Sequence, residues 1–425
     1  MKRNILLKGP LLTRSGYGEH ARFVLRALRS REDLFDIYIQ PIQWGATSWV
    51  AFDDDERSWI DRVIEKTIIY IQQGGKFDFS VQVTIPNEWE KIANINIGAT
   101  AGIETTKVAP GWLQKGNEMV DQIITISKHS VDSYKNTVAL ARNNDNGQEF
   151  EYTLKTPIDY VNYPAKKFDN LPDLDLDLPC DFNFLTVAQF GPRKNLPNTV
   201  KWFIEEFHDE DVGLVVKTNM AKNCYMDRMV VLENLTRLVK NFPDRKCKIH
   251  LLHGDMTDEE IHSLYNHPKI SALVALPHGE GFGLPIFEAA YSGLPVVATG
   301  WSGHLDFLID ESGDEHFYNV SFDMQPVQKE VVWDGVLIAE SMWAFPREQS
   351  AKQKMRECYE NLTEVETASY TKKAADAYAE RLQENFNLEK MFQKFIGLIE
   401  PYASDEENFE DDEWWNDDEE VVEYE

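Results

Sequence analysis

Apolar residues recur along this chain in two rhythms. Short apolar runs bounded by Gly, Pro, Asn and Asp alternate with stretches in which every third or fourth residue is apolar. The first rhythm predicts buried strands, the second helices packed by one face. A first strand region is expected over residues 5–12, followed by a loop, Ser15-Gly16-Tyr17-Gly18. A helix over 19–29 then carries Phe23, Val24, Ala27 and Leu28 at helical spacing. Further strands are expected at 35–39, 79–85, 92–99 and 121–126, with a helix over 53–72 built on Trp59, Val63, Ile64 and Ile68. A second alternating series predicts strands at 184–188, 213–217, 248–253 and 272–276, and helices at 198–207, 227–241 and 258–267. Helical patterns return at 350–362 and 370–402. Such alternation implies α/β architecture with doubly wound parallel sheets. Pro- and Asp-rich sequence without periodicity, from about residue 157 to 180, reads as a linker. The resulting division is residues 1–165, a linker at 166–181, and a second domain at 182–385. No internal repeat is evident.

Residues 278–299, HGEGFGLPIFEAAYSGLPVVAT, are the most informative stretch. An apolar strand precedes a Gly-rich turn, Pro285 suits the first turn of a helix, Gly293 fits its end, and a strand resumes. A strand–turn–helix of this kind aims backbone N–H groups and the positive end of a helix dipole at one point, which favours a phosphate. Glu280 and Glu288 stand eight residues apart on the same unit and can face one cleft. Carboxylates repel phosphate but accept hydrogen bonds from hydroxyls, so a sugar nucleotide is the logical ligand. The plainer alternative is an ordinary strand–turn–helix with two exposed glutamates.

The segment resembles the E-x7-E signature of retaining GT-B glycosyltransferases (family 4, or group 1, mannosyltransferase-like members). The match rests on EGFGLP, then E-A, then G-L-P-V-V-A at fixed spacing. The resemblance implies a GT-B fold: two Rossmann-like domains facing across a cleft, the first for the acceptor and the second for the donor. A helix over 386–402 would cross back to the first domain. It places Glu288 on the ribose hydroxyls, Glu280 on the sugar, and the amides of Gly281, Phe282, Gly283 and Leu284 at the diphosphate. The sequence LTVAQFGPRKN resembles the basic loop that opens the second domain in this family. Arg193 and Lys194 would there neutralise the leaving diphosphate. Lys194 falls on the family's lysine, whereas the family's earlier arginine falls on Gln189. Gly16 and Gly18 resemble the first-domain glycine loop. Glu104, Trp112, Asp121 and Ser127 match a first-domain pattern in order, which puts Glu104 near the acceptor. Relatives carry a cleft histidine near that position; residues 101–106 contain none. Lys217 and His253 stand at strand ends where such sheets bind ligands. His278 adjoins the Gly-Glu pair, within reach of sugar or diphosphate or as a mere lining residue.

Composition narrows the function. The 425-residue chain carries a formal net charge of −29. Thirteen acidic residues and no Lys or Arg lie between Asp405 and Glu425, so the body is acidic as well. That disfavours a broad nucleic-acid or anionic-membrane footprint. The acidic segment 403–425, punctuated by Trp414, Trp415, Val421, Val422 and Tyr424, reads as a disordered solvating tail or as a motif docking on a basic protein groove. Asp173-Leu174-Asp175 has the D-x-D form of a metal motif, but it lies in the linker and reads as solvated charge. No obligatory cofactor or metal is expected; the nucleotide-diphosphate sugar is a co-substrate. Cys180, Cys224, Cys247 and Cys358 lack metal-ligand spacing and read as reduced thiols. No signal peptide or transmembrane segment is evident, which points to the cytoplasm. The expected activity is hexose transfer from a nucleotide-diphosphate sugar to a hydroxyl acceptor, a glycan precursor by default. A modified DNA base or a protein is the alternative acceptor. A non-catalytic sugar-nucleotide-binding module and a phosphorylase-like enzyme are the rival classes.

Overall fold

The computed structural model describes residues 2–45, 47–50, 54–142 and 148–404. The acidic segment from Asp405 onward, and Asp53 at the expected start of a helix, lie outside the described residues.

In the first domain, strands β1 (Arg3–Gly9), β2 (Phe35–Pro41), β3 (Phe79–Val83), β4 (Ile95–Ala99) and β5 (Gln122–Thr125) alternate with helices α1 (Gly16–Arg29), α2 (Asp55–Gln72), α3 (Pro110–Met119) and α4 (Lys128–Lys135). A hairpin of β6 (Ala139–Arg142) and β7 (Glu149–Tyr152) stands apart, and β8 (Ile158–Tyr160) joins the sheet edge. The parallel order is β2-β1-β3-β4-β5-β8. Sheet residues therefore extend to Tyr160, and the linker begins later than about residue 157. Its aspartates Asp173, Asp175 and Asp177 are exposed while Leu174, Leu176 and Leu178 turn inward.

The second domain runs through β9 (Asn183–Val187), α5 (Leu196–Glu206), β10 (Gly213–Lys217), α6 (Tyr225–Val239), β11 (Lys248–Leu252), α7 (Asp258–Tyr265), β12 (Ile270–Ala275), α8 (Leu284–Tyr291), β13 (Val296–Thr299), α9 (Leu305–Leu308) and β14 (Tyr318–Val320). Its parallel order is β11-β10-β9-β12-β13-β14. The order reverses between β9 and β12, and in open α/β sheets ligands bind beyond the carboxyl ends of the strands at that switch point. The first sheet reverses between β1 and β3. The loops after β9 and β12 thus face the loop after β1 across the gap.

An antiparallel pair, β15 (Phe322–Pro326) and β16 (Met342–Pro346), frames an arm that reaches back to the first domain. The arm bonds Lys107 through Ser341 and Thr106 through Met342, and packs Val336 and Ile338 near Trp89 and Trp112. Helices α10 (Glu348–Thr363), α11 (Val365–Asn385) and α12 (Leu388–Ser404) close the chain. The single helical pattern expected at 370–402 is broken at Phe386–Asn387, where the Asn387 side chain accepts from Lys390 N–H (2.9 Å) and caps α12. Beyond the break α12 crosses to α1: Met391, Phe395, Ile396 and Ile399 are buried, and Phe395 meets Phe23 edge-on. One apolar core runs through both domains and this helix.

Candidate active site

A cleft of about 550 Å³ lies between the two domains at the carboxyl ends of both sheets. Arg14, Ser15, Gly16, Tyr17, Trp44, Thr47, Gly102 and Glu104 line one wall. Gln189, Arg193, Lys194, Lys217, Thr218, Asn219, Glu280, the turn from Gly281 to Leu284, and Glu288 line the other.

The second-domain wall is built on the β9 and β12 loops. Asn195 takes a left-handed conformation (φ 52°) and its amide donates to the Leu276 carbonyl (3.1 Å), tying the two loops together. His278 N–H donates to the Arg193 carbonyl (2.8 Å), a second tie. Gly283 adopts φ 91° as the residue before α8, a conformation that favours glycine. It contributes no side-chain cap; Pro285 carries no N–H and Ile286 N–H already donates to the Gly283 carbonyl (2.9 Å), so Leu284 N–H is the first-turn donor left to an anion.

Glu280 is only 7% exposed and sits between two cations. Lys194 Nζ is 2.5 Å from Oε1 and Arg193 Nη1 is 3.1 Å from Oε2. Burial alone would push the carboxyl up, but Lys194 and Arg193 outweigh it and hold it down at about 2. Arg193 also donates to the Gly279 carbonyl (2.8 Å) and reaches across the cleft to Glu104 (3.4 Å). The Glu104 carboxyl is raised, by burial first, with Arg193 opposing.

Glu288 behaves differently. It is half-buried, and Tyr265 donates its hydroxyl proton to Oε2 (3.0 Å). Burial pushes this carboxyl up to about 7, against the opposing charge of Lys166 and the Tyr265 bond. Lys166 bridges Glu19 of α1 and Asp258 of α7, at 2.8 Å each, where the linker begins.

The domains meet closely beside this centre. A Cβ placed on Gly279 would lie 2.1 Å from the Glu104 carbonyl oxygen, closer than any real contact. Only a glycine permits the two loops to touch there.

Most residues singled out by sequence converge on the cleft: Gly16, Glu104, Arg193, Lys194, Lys217, Glu280, the Gly281–Leu284 turn and Glu288. Gln189, at the family's arginine position, also lines it, donating to the Met220 carbonyl (2.6 Å). The Phe282 ring turns away into a cluster with Phe287, Phe307 and Tyr163. His278 is a correction: it is absent from the cleft lining. Its ring stacks on Trp343 and donates through Nδ1 to the Ala344 carbonyl (2.7 Å), beneath the arm. His253 likewise turns from the cleft to Asp227 (2.9 Å). Asp227 also accepts N–H bonds from Met220, Ala221 and Lys222, fixing the loop that carries Ala221 into the cleft. Trp112, Asp121 and Ser127 are braces: Trp112 bonds Asn87, Asp121 accepts from Asn96 N–H (2.7 Å), and Ser127 caps α4. Sequence reasoning passed over Trp44, Thr47 and Thr218. A Trp inside the polar loop PIQWGATSW was the available signal for the first two. Among the described residues no cluster of His, Cys, Asp and Glu could hold a metal ion, and no helix is long and apolar enough to cross a membrane.

Comparison with known proteins agrees with this geometry. Residues 225–319, which include both glutamates, match the glycosyl transferases group 1 family. Across 193 residues the chain is 26% identical to the serotype-specific mannosyltransferase WbdA of Escherichia coli. That match covers 44% of this chain and 22% of WbdA. The fold is similar to Anabaena HepE, solved with UDP and glucose (TM-score 0.57, 11% identity, 94% of this chain and 100% of that one). It is also similar to sucrose-phosphate synthase from Thermosynechococcus elongatus (TM-score 0.59, 12% identity, 94% and 99%). The fold is GT-B, and residues 225–319 of the second domain match a glycosyltransferase family.

Proposed function

We propose that this chain is a retaining glycosyltransferase that moves a hexose from a nucleotide-diphosphate sugar to a hydroxyl of a glycan precursor. The observation that carries the reading is the convergence of Glu280, Glu288, Arg193, Lys194 and the start of α8 in one interdomain cleft. The diphosphate would lie against the N–H groups of the Gly281–Leu284 turn, with Arg193 and Lys194 as counter-charges. Glu288 would hold the ribose hydroxyls and Glu280 the sugar.

The acceptor hydroxyl would attack the anomeric carbon from the face the phosphate leaves. The carbon–oxygen bond to the diphosphate breaks as the new glycosidic bond forms, and the departing phosphate oxygen takes the acceptor's proton. No carboxylate nucleophile is needed, and the anomeric configuration is retained. Two similar proteins accord with this: one is a mannosyltransferase, and the other was solved with UDP and glucose.

Gln189 favours one competing reading. With glutamine at the family's arginine position, and both remaining cations paired to Glu280, the chain would bind a sugar nucleotide without cleaving it. A screen of UDP-, GDP- and ADP-sugars, reading thermal shift and nucleoside diphosphate release, separates the two. The transferase reading expects one donor to stabilise the protein and to be slowly hydrolysed, both effects collapsing in Glu288→Ala. Binding with no cleavage across sugar, peptide and DNA acceptors would establish the binding module instead. Proton NMR of the product anomeric centre then tests retention.

A further inference from the structure

The loop leaving β2 folds back along the segment between β1 and α1. Arg14 N–H donates to the Ser48 carbonyl (2.8 Å), Val50 N–H to the Leu12 carbonyl (2.9 Å), and Thr13 bridges Trp49. This stitching places Trp44 in the cleft wall, half-buried. Its ring lies 4.3 Å from that of Tyr17, tilted by 40°. Tyr17 is itself fixed, through its hydroxyl, to Thr100 Oγ1 (2.9 Å) and the Ala101 carbonyl (2.5 Å). Thr47 donates to the Trp44 carbonyl (3.0 Å) and lines the same wall.

We propose that Trp44 selects the acceptor on this wall, its indole being the surface on which a pyranose ring rests. The proposal rests on the glycosyl-transfer reading for the hydroxyl it delivers, and on its own geometry for the ligand class. A sugar ring has apolar C–H faces and a polar hydroxyl rim. A fixed aromatic surface matches the face, because it offers a large contact area with little rotamer freedom to lose. Hydroxyl and carboxylate groups match the rim, and Ser15, Thr47 and Glu104 stand on this wall. Glu104 lies toward the reacting centre, within ion-pair distance of Arg193. The charge is wrong for a DNA acceptor. Arg14 is the one cation among the residues of this wall, and it already faces Asp255 (3.5 Å). A phosphodiester chain calls for several cations.

Saturation-transfer NMR with methyl α-glucoside, maltose and lactose reads binding without turnover. At least one saccharide should receive saturation from the native protein. Trp44→Ala should weaken that binding about tenfold or more, and Trp44→Phe, which keeps an aromatic face, by less than about threefold. If Trp44→Ala fails to fold, Trp44→Leu keeps apolar bulk without the π face and should show the same loss. With a donor identified, acceptor KM should rise in the same proportion while donor Kd moves by less than about twofold. The subsite is overturned if no saccharide binds, if the folded Ala or Leu variant binds as the native protein does, or if a hydroxymethylcytosine oligonucleotide or a serine-rich peptide is the acceptor. Saccharide binding without any donor binding or hydrolysis would sink the transferase reading and leave the subsite standing.

Discussion

The loops after β9 and β12 bring Arg193, Lys194, Glu280 and Glu288 into the cleft, whereas those after β1 and β2 bring Ser15, Gly16, Tyr17, Trp44 and Thr47. One wall is charged and already braced by ion pairs; the other is largely neutral and aromatic. On the charged wall a ligand must compete with partners in place, since Glu280 occupies both cations before any phosphate arrives. That arrangement pre-organises the cations without leaving them uncompensated in a buried site. On the other wall Arg14 already faces Asp255 and Glu104 faces Arg193, while Ser15, Tyr17, Trp44 and Thr47 are neutral, so selectivity there comes chiefly from shape. The same Rossmann-like scaffold thus supports two modes of recognition, decided by which residue types occupy the loops at the strand ends.

The largest expected effect is at Glu280. Glu280→Gln should lower turnover by about 10²–10³-fold, as loss of a group aligned with the reacting centre does. It should also raise affinity for the nucleoside diphosphate product, because Arg193 and Lys194 lose their internal partner. Kinetics beside product titration calorimetry checks both; unchanged product affinity would mean the ion pairs do not compete with phosphate.

Next comes the seam between the walls. Gly279→Ala should cost about 1–3 kcal/mol, as overpacking against backbone does. It should also widen the molecule in small-angle scattering. Gly191→Ala, where a Cβ meets nothing within 4 Å, is the control and should be close to silent. Equal effects at both positions would refute a tight seam.

Asp227 supports the charged wall from behind. Asp227→Ala leaves three backbone N–H groups unanswered and should cost about 1–3 kcal/mol in a denaturant melt. Donor affinity should weaken because the 220–222 loop is freed.

The remaining effect is a pH dependence. Glu288 has a folded pKa of about 7 against an ordinary 4.5, so the folded state holds a proton the unfolded chain releases first. Relative to Glu288→Gln, native stability should therefore be greatest below about pH 4.5 and decline as pH rises through 7. Donor affinity should run the other way, since the ionised carboxylate is the better acceptor for ribose hydroxyls. Parallel pH profiles for the protein and the variant would remove Glu288 from that role.

Much of this was legible in sequence because apolar periodicity reports burial. The core strands and α1, α5, α7 and α8 appear close to where their patterns placed them. The Glu280 segment was legible because its turn requires glycine and its helix start suits proline. The hairpin β6–β7 carried no such signal: its strands are four residues each and largely exposed. The arm between β15 and β16 was equally silent, since its apolar residues answer to Trp89 and Trp112, more than two hundred positions away. That long-range contact also decides His278, whose ring is claimed by Trp343 rather than the cleft. Trp44 escaped notice because a lone aromatic in a loop acquires meaning only when Tyr17 is seen beneath it.

The crossing of α12 has a consequence for how the protein is made. Phe23 and its neighbours on α1 are covered by Phe392, Phe395 and Ile399. Residues 1–165 leave the ribosome long before residues 386–404, yet their sheet lacks one of its covering helices until those residues have emerged. Nascent first domains must therefore wait, with an apolar face of α1 open to chaperones or to other chains, for a segment some 360 positions downstream. Removing residues 386–404 would make that waiting state permanent.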